Sequence, residues 1–299
     1  MKQAIILDTD IGSDIDDALA LAYLLRHPDC ELVGITTVTG EPGLRASLCD
    51  ALCRTAGRDD VPIHVGVAEP ILGHNHQPHV PQASALERWP HAKFEDRVTA
   101  IEFLRETIRS RPGEITLLTI GPLTNIAVLL AVDPEIATLV KGIVMMGGQF
   151  TKWTEFDHTL AEWNIRCDPI AAQKVFASPI PITAAGYEIT TQCRIESSKA
   201  REQLQRPGVP GLVADMAEVW LHHASHIVFH DPLAATLLFE TGICQTVTGT
   251  IEVELTSPRA AGATYFTRSK PGETARHTVV NAVDVRAFYE HYFGVVAGG

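Results

Sequence analysis

The chain has 299 residues, 45% of them hydrophobic and 20% charged, which is enough apolar material for one large α/β domain and too much for a disordered chain. Lys and Arg total 24 against 36 Asp and Glu, a formal charge of −12, so the basic field that nucleic acid or an anionic membrane surface requires is missing. The short apolar run after Lys2 stops at Asp8, and no stretch approaches the ~18 apolar residues of a membrane span.

In chain order, residues 3–7 form a short β run and 16–25 carry helical spacing, with His27-Pro28 as a stop. Residues 31–38 read as a strand through Val33, Ile35, Thr36, Thr37 and Val38, residues 44–56 as a helix ended by Gly57, and 62–65 as a short strand. A loop rich in Pro, His and Gln leads to a helix over 98–109 and a strand over 115–120. A helix over 124–130 and a strand over 143–146 follow, before Gly147-Gly148. This repeat of near-continuous apolar strands and helices predicts an α/β fold, a mostly parallel sheet flanked by helices with a Rossmann-like core. The later half is less regular. Residues 169–176 look helical, 182–185 look like a strand, 209–229 look largely helical, and Asp231 opens a helix over 232–239. Residues 247–255, 264–267 and 277–280 predict a small β element, and 283–293 a final helix. With no internal repeat or linker, residues 1–299 read as a single domain. The six cysteines form no CxxC pair, and Cys49 and Cys53 share a helix face as packing groups. Free thiols in a cytoplasmic protein are the simplest account.

The most informative segment is Asp8-Thr9-Asp10-Ile11-Gly12-Ser13-Asp14-Ile15-Asp16-Asp17. Its five carboxylates in ten residues follow the first strand, where open α/β sheets bind ligands. Carboxylates this close repel one another and are costly to bury without a counter-charge, a conflict that a hard cation with oxygen ligands, Ca²⁺ or Mg²⁺, resolves. A solvated turn in which Asp16 or Asp17 caps the next helix needs fewer acids than this. An EF-hand counted from Asp8 fails, because its sixth and twelfth positions are Ser13 and Leu19. Asp8-Thr9-Asp10 also allows a Mg²⁺-dependent haloacid-dehalogenase-like phosphatase, although Gly12 stands where that motif usually has Thr or Val.

The acidic segment resembles the inosine–uridine nucleoside hydrolase family, whose first strand ends in a similar cluster followed by a helix like Ala18-Leu19-Ala20-Leu21. The resemblance recurs at Thr36-Thr37-Val38, Gly121-Pro122-Leu123-Thr124-Asn125-Ile126-Ala127, Met145-Met146-Gly147-Gly148 and Ala161-Glu162-Trp163-Asn164-Ile165 with Asp168-Pro169. It continues at His230-Asp231-Pro232 and Thr278-Val279-Val280, and so spans nearly the whole chain. It implies calcium held by Asp10, Asp17, Asp231 and the backbone carbonyl of Ile120, with coordination left open for water and two substrate hydroxyls. It places Asp16 on the ribose 2′-hydroxyl, Asn164 and Glu162 on the 3′ and 5′ side, and Met146 on the substrate side. The implied reaction is hydrolysis of a ribonucleoside to ribose and free base. A metal-activated water gives its proton to Asp10 and attacks the anomeric carbon through an oxocarbenium-like transition state.

His230 matches the family's leaving-group acid. His222 and His226 lie eight and four residues before it, so the three could share a helix face, with His226 contacting the base. The loop His74-Asn75-His76-Gln77-Pro78-His79 reads as solvated. Three departures bear on base preference and on 5′ recognition: the acidic loop is longer and carries an extra Asp14, Glu41 adds negative charge near the sugar, and Phe156-Asp157-His158 lacks the family's Asn. A ribosyl-ligand binding protein without turnover is therefore the rival outside enzymology. The family also implies a homodimer or homotetramer.

Overall fold

Ile5, Ile6 and Leu7 are wholly buried, which places the first strand, β1 (Gln3–Thr9), inside a sheet covered on both faces. The computed structural model describes residues 2–150, 160–204, 208–270, 272–273 and 275–297. After β1 come α1 (Asp16–Arg26), β2 (Cys30–Thr37), α2 (Pro42–Thr55) and β3 (Ile63–Val65). The expected Pro/His/Gln loop follows, and it contains a 3-10 helix over Pro81–Arg88. Next are α3 (Ala100–Ser110), β4 (Thr116–Thr119), α4 (Thr124–Val132), α5 (Ile136–Leu139) and β5 (Gly142–Met146). The chain continues through α6 (Trp163–Cys167), α7 (Pro169–Phe176), β6 (Ile182–Ala185), α8 (Tyr187–Thr190), β7 (Arg194–Glu196), α9 (Ser197–Leu204) and α10 (Val209–Leu221). It ends with β8 (His226–Val228), α11 (His230–Thr236), β9 (Cys244–Val253), β10 (Thr264–Arg268), β11 (His277–Val283) and α12 (Val285–Ala297).

Among the described residues nine strands form one sheet in the order β10-β9-β11-β6-β5-β4-β1-β2-β3. From β11 to β3 every neighbouring pair is parallel, whereas β9 and β10 run antiparallel at the edge. The expected small β element is thus the continuation of the main sheet, because β11 pairs in register with β6. One apolar cluster beneath α1, α2, α10, α11 and α12 covers one face, and a second beneath α3, α4 and α7 covers the other. Burying both faces is what the unbroken apolar strands required.

The expected helix over 209–229 is corrected. It ends at Leu221, and His226–Val228 is a strand that pairs antiparallel with Arg194–Glu196. Leu212, Val213, Met216, Ala217 and Leu221 give α10 a buried helical face, but Ile227 and Phe229 are buried at a spacing of two. That is a strand period, and it breaks the helical one. All six cysteines are free thiols, and only Cys244 is not fully buried. Among the described residues no helix is long and apolar enough to cross a membrane.

Candidate active site

β1 and β4 lie side by side, but the chain leaves β1 toward β2 and β3 and leaves β4 in the opposite direction, toward β5 and β6. That reversal opens a crevice beyond the carboxyl ends of the two strands. The crevice holds a cavity of about 400 Å³, lined by Asp10, Asp14, Asp16, Asp17 and Asp231 on one side and by Trp163, Tyr187, Trp220 and His230 on the other. Gln77, Ile120, Met146, Glu162 and Asn164 lie between.

The acidic side is built from the ends of three elements. Asp16 and Asp17 open α1 behind Ile15, which caps the helix without a side-chain bond, so neither acid serves as the N-cap. Asp231 is the second residue of α11. Carboxylate oxygens of Asp16, Asp17 and Asp231 all lie within 4.8 Å of one another, and both helices direct their positive ends at them. Asp17 accepts from Thr9 Oγ1, and Asp16 Oδ2 accepts from the Asp231 amide at 3.3 Å. Burial, reinforced by mutual repulsion, pushes all three carboxyls far above the ordinary range. Asp14, whose Oδ1 accepts from the Ile15 amide at 2.5 Å, is pushed up to about 7 by the same causes.

Asp10 stands beside this trio rather than within it. Its Oδ2 accepts from Gln77 Nε2 at 2.9 Å. Its Oδ1 comes so near Gly121 that a Cβ there would lie 2.7 Å away, so only glycine admits the carboxylate at this point. Burial raises the Asp10 pKa, while Arg45 and Gln77 pull it down. Arg45 is wholly buried and is the nearest positive charge. Its guanidinium donates chiefly to main-chain carbonyls, those of Thr39, Asp10 and Ile11, and so braces the loop without neutralising it. Asp8 is different again. It is buried against Thr36 Oγ1 (2.5 Å) and Asn125 Nδ2 (2.7 Å), is raised to about 7 by burial, and is not one of the cavity's lining residues. An all-oxygen, buried, over-charged donor set of this kind fits a hard divalent cation.

Between the two sides, Glu162 caps α6. Its Oε1 accepts from the Asn164 amide at 3.0 Å and its Oε2 from the Gly148 amide at 2.9 Å. Asn164 Nδ2 donates to the carbonyls of Ile120 (2.9 Å) and Met146 (3.2 Å), joining the ends of β4 and β5. On the aromatic side, the His230 ring stacks on Tyr187 with centroids 5.5 Å apart, and its Nδ1 is 2.6 Å from Thr190 Oγ1. Burial lowers His230 to about 4, so it is an uncharged imidazole at neutral pH.

The structure therefore gathers Asp10, Asp16, Asp17, Ile120, Met146, Glu162, Asn164, His230 and Asp231 around one cavity. His226 is not brought there. It lies on β8 with Nε2 2.8 Å from Glu196 Oε1, and His222 is exposed at the end of α10, so the three histidines share no face. Glu41 is also outside the lining, at the N-terminus of α2 with its carboxylate 3.9 Å from the His79 ring. The departure at Phe156-Asp157-His158 falls outside the described residues. Sequence patterning passed over Arg45, Gln77, Tyr187 and Trp220. For Tyr187 a signal existed, since it follows the carboxyl end of a parallel strand as Asp10 does.

The family model of the inosine-uridine preferring nucleoside hydrolases matches residues 5–290. The chain is 32% identical over 271 residues to uridine nucleosidase 1 of Arabidopsis thaliana, covering 84% of this chain and 78% of that one. It is also 32% identical over 311 residues to the pyrimidine-specific ribonucleoside hydrolase RihA of Shewanella sp. (strain MR-7), covering 97% and 95%. Among solved structures, a purine-preferring ribonucleoside hydrolase from Gardnerella vaginalis superimposes with a TM-score of 0.83 at 25% identity over 99% of this chain and 98% of that one. A plant nucleoside hydrolase, PpNRh1, superimposes with a TM-score of 0.84 at 24% identity over both whole chains and bears on the fold alone.

Proposed function

This chain belongs to the inosine-uridine preferring nucleoside hydrolase family of N-glycosyl hydrolases, and from that premise we propose that it hydrolyses ribonucleosides to ribose and free base with Ca²⁺ at the acidic end of the cavity. The observation that carries this reading is the meeting of Asp10 and the Asp16, Asp17 and Asp231 trio with an aromatic wall in one space of about 400 Å³. Asp10, Asp17, Asp231 and the Ile120 carbonyl would hold the cation. When bound, the cation supplies a polarised water and a grip on the sugar's hydroxyls, and it neutralises carboxyls that otherwise retain protons.

The chain's own groups account for the rest. Asp10 takes a proton from the attacking water as its oxygen bonds to the anomeric carbon. The glycosidic C–N bond breaks with its electron pair passing to the base, which leaves as an anion and takes a proton from solvent, and the surrounding carboxylates stabilise the positive charge that develops on the sugar. Asp16 and Asn164 hold hydroxyls, and Glu162 fixes α6 so that Asn164 stays on the sugar side. Trp163, Tyr187 and Trp220 line the space that a planar base would fill. His230, uncharged and with Nδ1 engaged by Thr190, keeps Nε2 for a hydrogen bond to the departing base. We read the enzyme as a cytoplasmic homo-oligomer, which sedimentation of the purified protein tests.

The deciding experiment is release of reducing sugar from uridine, cytidine, inosine, adenosine and guanosine, with Ca²⁺ and with chelator. Calcium-dependent release from at least one is expected, and the ranking gives the base preference. Calcium binding and nucleoside binding to the folded protein without any release would overturn the hydrolase reading in favour of a ribosyl-binding protein.

A further inference from the structure

Gln77 stands in the histidine-rich loop, yet its side-chain amide touches both sides of the cavity. Nε2 donates to Asp10 Oδ2 at 2.9 Å, and Oε1 accepts from Trp163 Nε1 at 2.6 Å. An indole N–H only donates, so it must face the amide oxygen, and this turns the amino group toward Asp10. The main chain is fixed as well. The Gln77 amide donates to Asn75 Oδ1 at 2.8 Å, and its carbonyl accepts from Arg45 Nη2 at 3.3 Å. That carbonyl packs so closely on Gly40, at φ +60°, that a Cβ there would lie 2.4 Å from it. One residue of a largely exposed loop is thus clamped from below by the same arginine that braces the acidic segment.

Trp163 shows what the clamp holds. The ring is 45% exposed, although an indole of that size ordinarily gains by deep burial. It opens the five-residue helix α6, with the Arg166 guanidinium 5.8 Å from its centroid and the His76 ring edge-on at 6.3 Å. The Gln77 bond therefore fixes an aromatic plane at the cavity, where a stacked planar ligand completes its burial.

We propose that Gln77 is a positioning residue that couples the two sides of the site, holding the Asp10 carboxylate and the Trp163 ring in one frame so that base stacking and proton acceptance share a geometry. The proposal rests on the reading of Asp10 as proton acceptor. Glutamate at this position still accepts from the indole but repels Asp10, leucine makes neither bond, and asparagine is one methylene too short to span both.

The test compares wild type with Gln77→Leu, Gln77→Glu, Trp163→Phe and the double variant Gln77→Leu/Trp163→Phe, each checked for folding by circular dichroism. Gln77→Leu is expected to lower kcat about tenfold, as a small misplacement of a reacting group does, and Gln77→Glu about a hundredfold. Trp163→Phe is expected to raise KM about fivefold with a smaller change in kcat. The double variant should be no worse than Gln77→Leu by more than about twofold, the non-additivity of groups acting as one unit. Trp163 emission, obtained by difference from Trp163→Phe, should shift to the red in Gln77→Leu as the freed ring meets water. Gln77→Leu and Gln77→Glu kinetics within about twofold of wild type, additive losses in the double variant, or unchanged Trp163 emission overturn the proposal. If wild type itself releases no sugar, the hydrolase reading fails, while the emission experiment still decides whether Gln77 holds Trp163. Should Gln77→Leu not fold, Gln77→Glu and Trp163→Phe carry the kinetic comparison.

Discussion

The two sides of the cavity obey opposite physics. On the acidic side, Asp10, Asp16, Asp17 and Asp231 are almost fully buried, repel one another and are pushed toward their protonated forms. On the aromatic side, Tyr187 and Trp163 are neutral groups, and His230 is kept uncharged by burial. The acidic side opposes folding until a cation arrives, whereas the aromatic side is stable alone and waits for a flat ligand. The difference teaches how one cavity divides its costs: unfavourable charge gathers where a cation and, on the proposed reading, the reaction require it, while neutral ring surface gathers opposite.

The sharpest way to break the comparison is Asp10→Asn. Loss of the proton acceptor should lower kcat by about a thousandfold, with the melting temperature unchanged or higher because one buried like charge is gone. Retained hydrolysis in a steady-state assay would remove Asp10 from its role. Next in size, Asp231→Asn should weaken Ca²⁺ affinity about a hundredfold in isothermal titration, since the proposed ligand set of Asp10, Asp17 and Asp231 loses one of its three carboxylates.

The pH dependence of stability sharpens the comparison further. Asp8 and Asp14 have folded values of about 7 against the ordinary 3.8. A group raised on folding keeps its proton longer in the native state, so without cation stability is highest below about pH 4 from these groups and declines as pH rises toward 7. The carboxyls of Asp10, Asp17 and Asp231 are raised in the same direction and must give up their protons to hold a cation, so calcium should raise the melting temperature more at pH 7.5 than at pH 5. An equal shift at both values in calorimetry would mean that the carboxyls are not the ligands.

Changes on the aromatic side should be smaller and should appear in binding. Trp220→Ala should raise KM about tenfold, a loss of about 1.4 kcal/mol, with kcat less affected and with unequal effects across bases. The smallest effect belongs to His226→Ala. It removes the partly exposed pair with Glu196 and a contact with Ser225 Oγ, the pair worth about 0–1 kcal/mol, and should leave kcat/KM within about twofold.

Most of the acidic side was legible in the sequence because all its lining carboxylates but Asp231 fall within ten residues that follow a strand. Five carboxylates in ten residues leave few physical outcomes once that strand is central. The aromatic side was less legible: His230 stood out beside Asp231, while its ring neighbours did not. Trp163, Tyr187 and Trp220 come from α6, α8 and α10, each the single lining aromatic of its element, and an isolated aromatic reads as core. Helical spacing misled in the same region. His222, His226 and His230 are four residues apart, but β7 captures His226–Val228 as a strand partner, and no local preference competes with a ladder that buries Ile227.

What the sequence determined by itself was the repeating strand–helix order, a mostly parallel sheet covered on both faces, and a cation-seeking cluster at the end of its first strand, because periodicity, burial and like-charge repulsion act over a few residues. The family resemblance implies that Asp231 joins Asp10 and Asp17, but no spacing in the chain shows why, and only the tertiary structure supplies the reason. Asp8, two residues from Asp10, turns to Thr36 and Asn125, while Asp231, more than 200 residues away, closes the trio with Asp16 and Asp17. It also decided that Gln77, in a loop with the composition of solvent-exposed chain, reaches Asp10 and Trp163 together. Such meetings depend on the order of strands in the sheet and on the buried Arg45 beneath the loop, long-range packing that leaves no periodic trace in the chain.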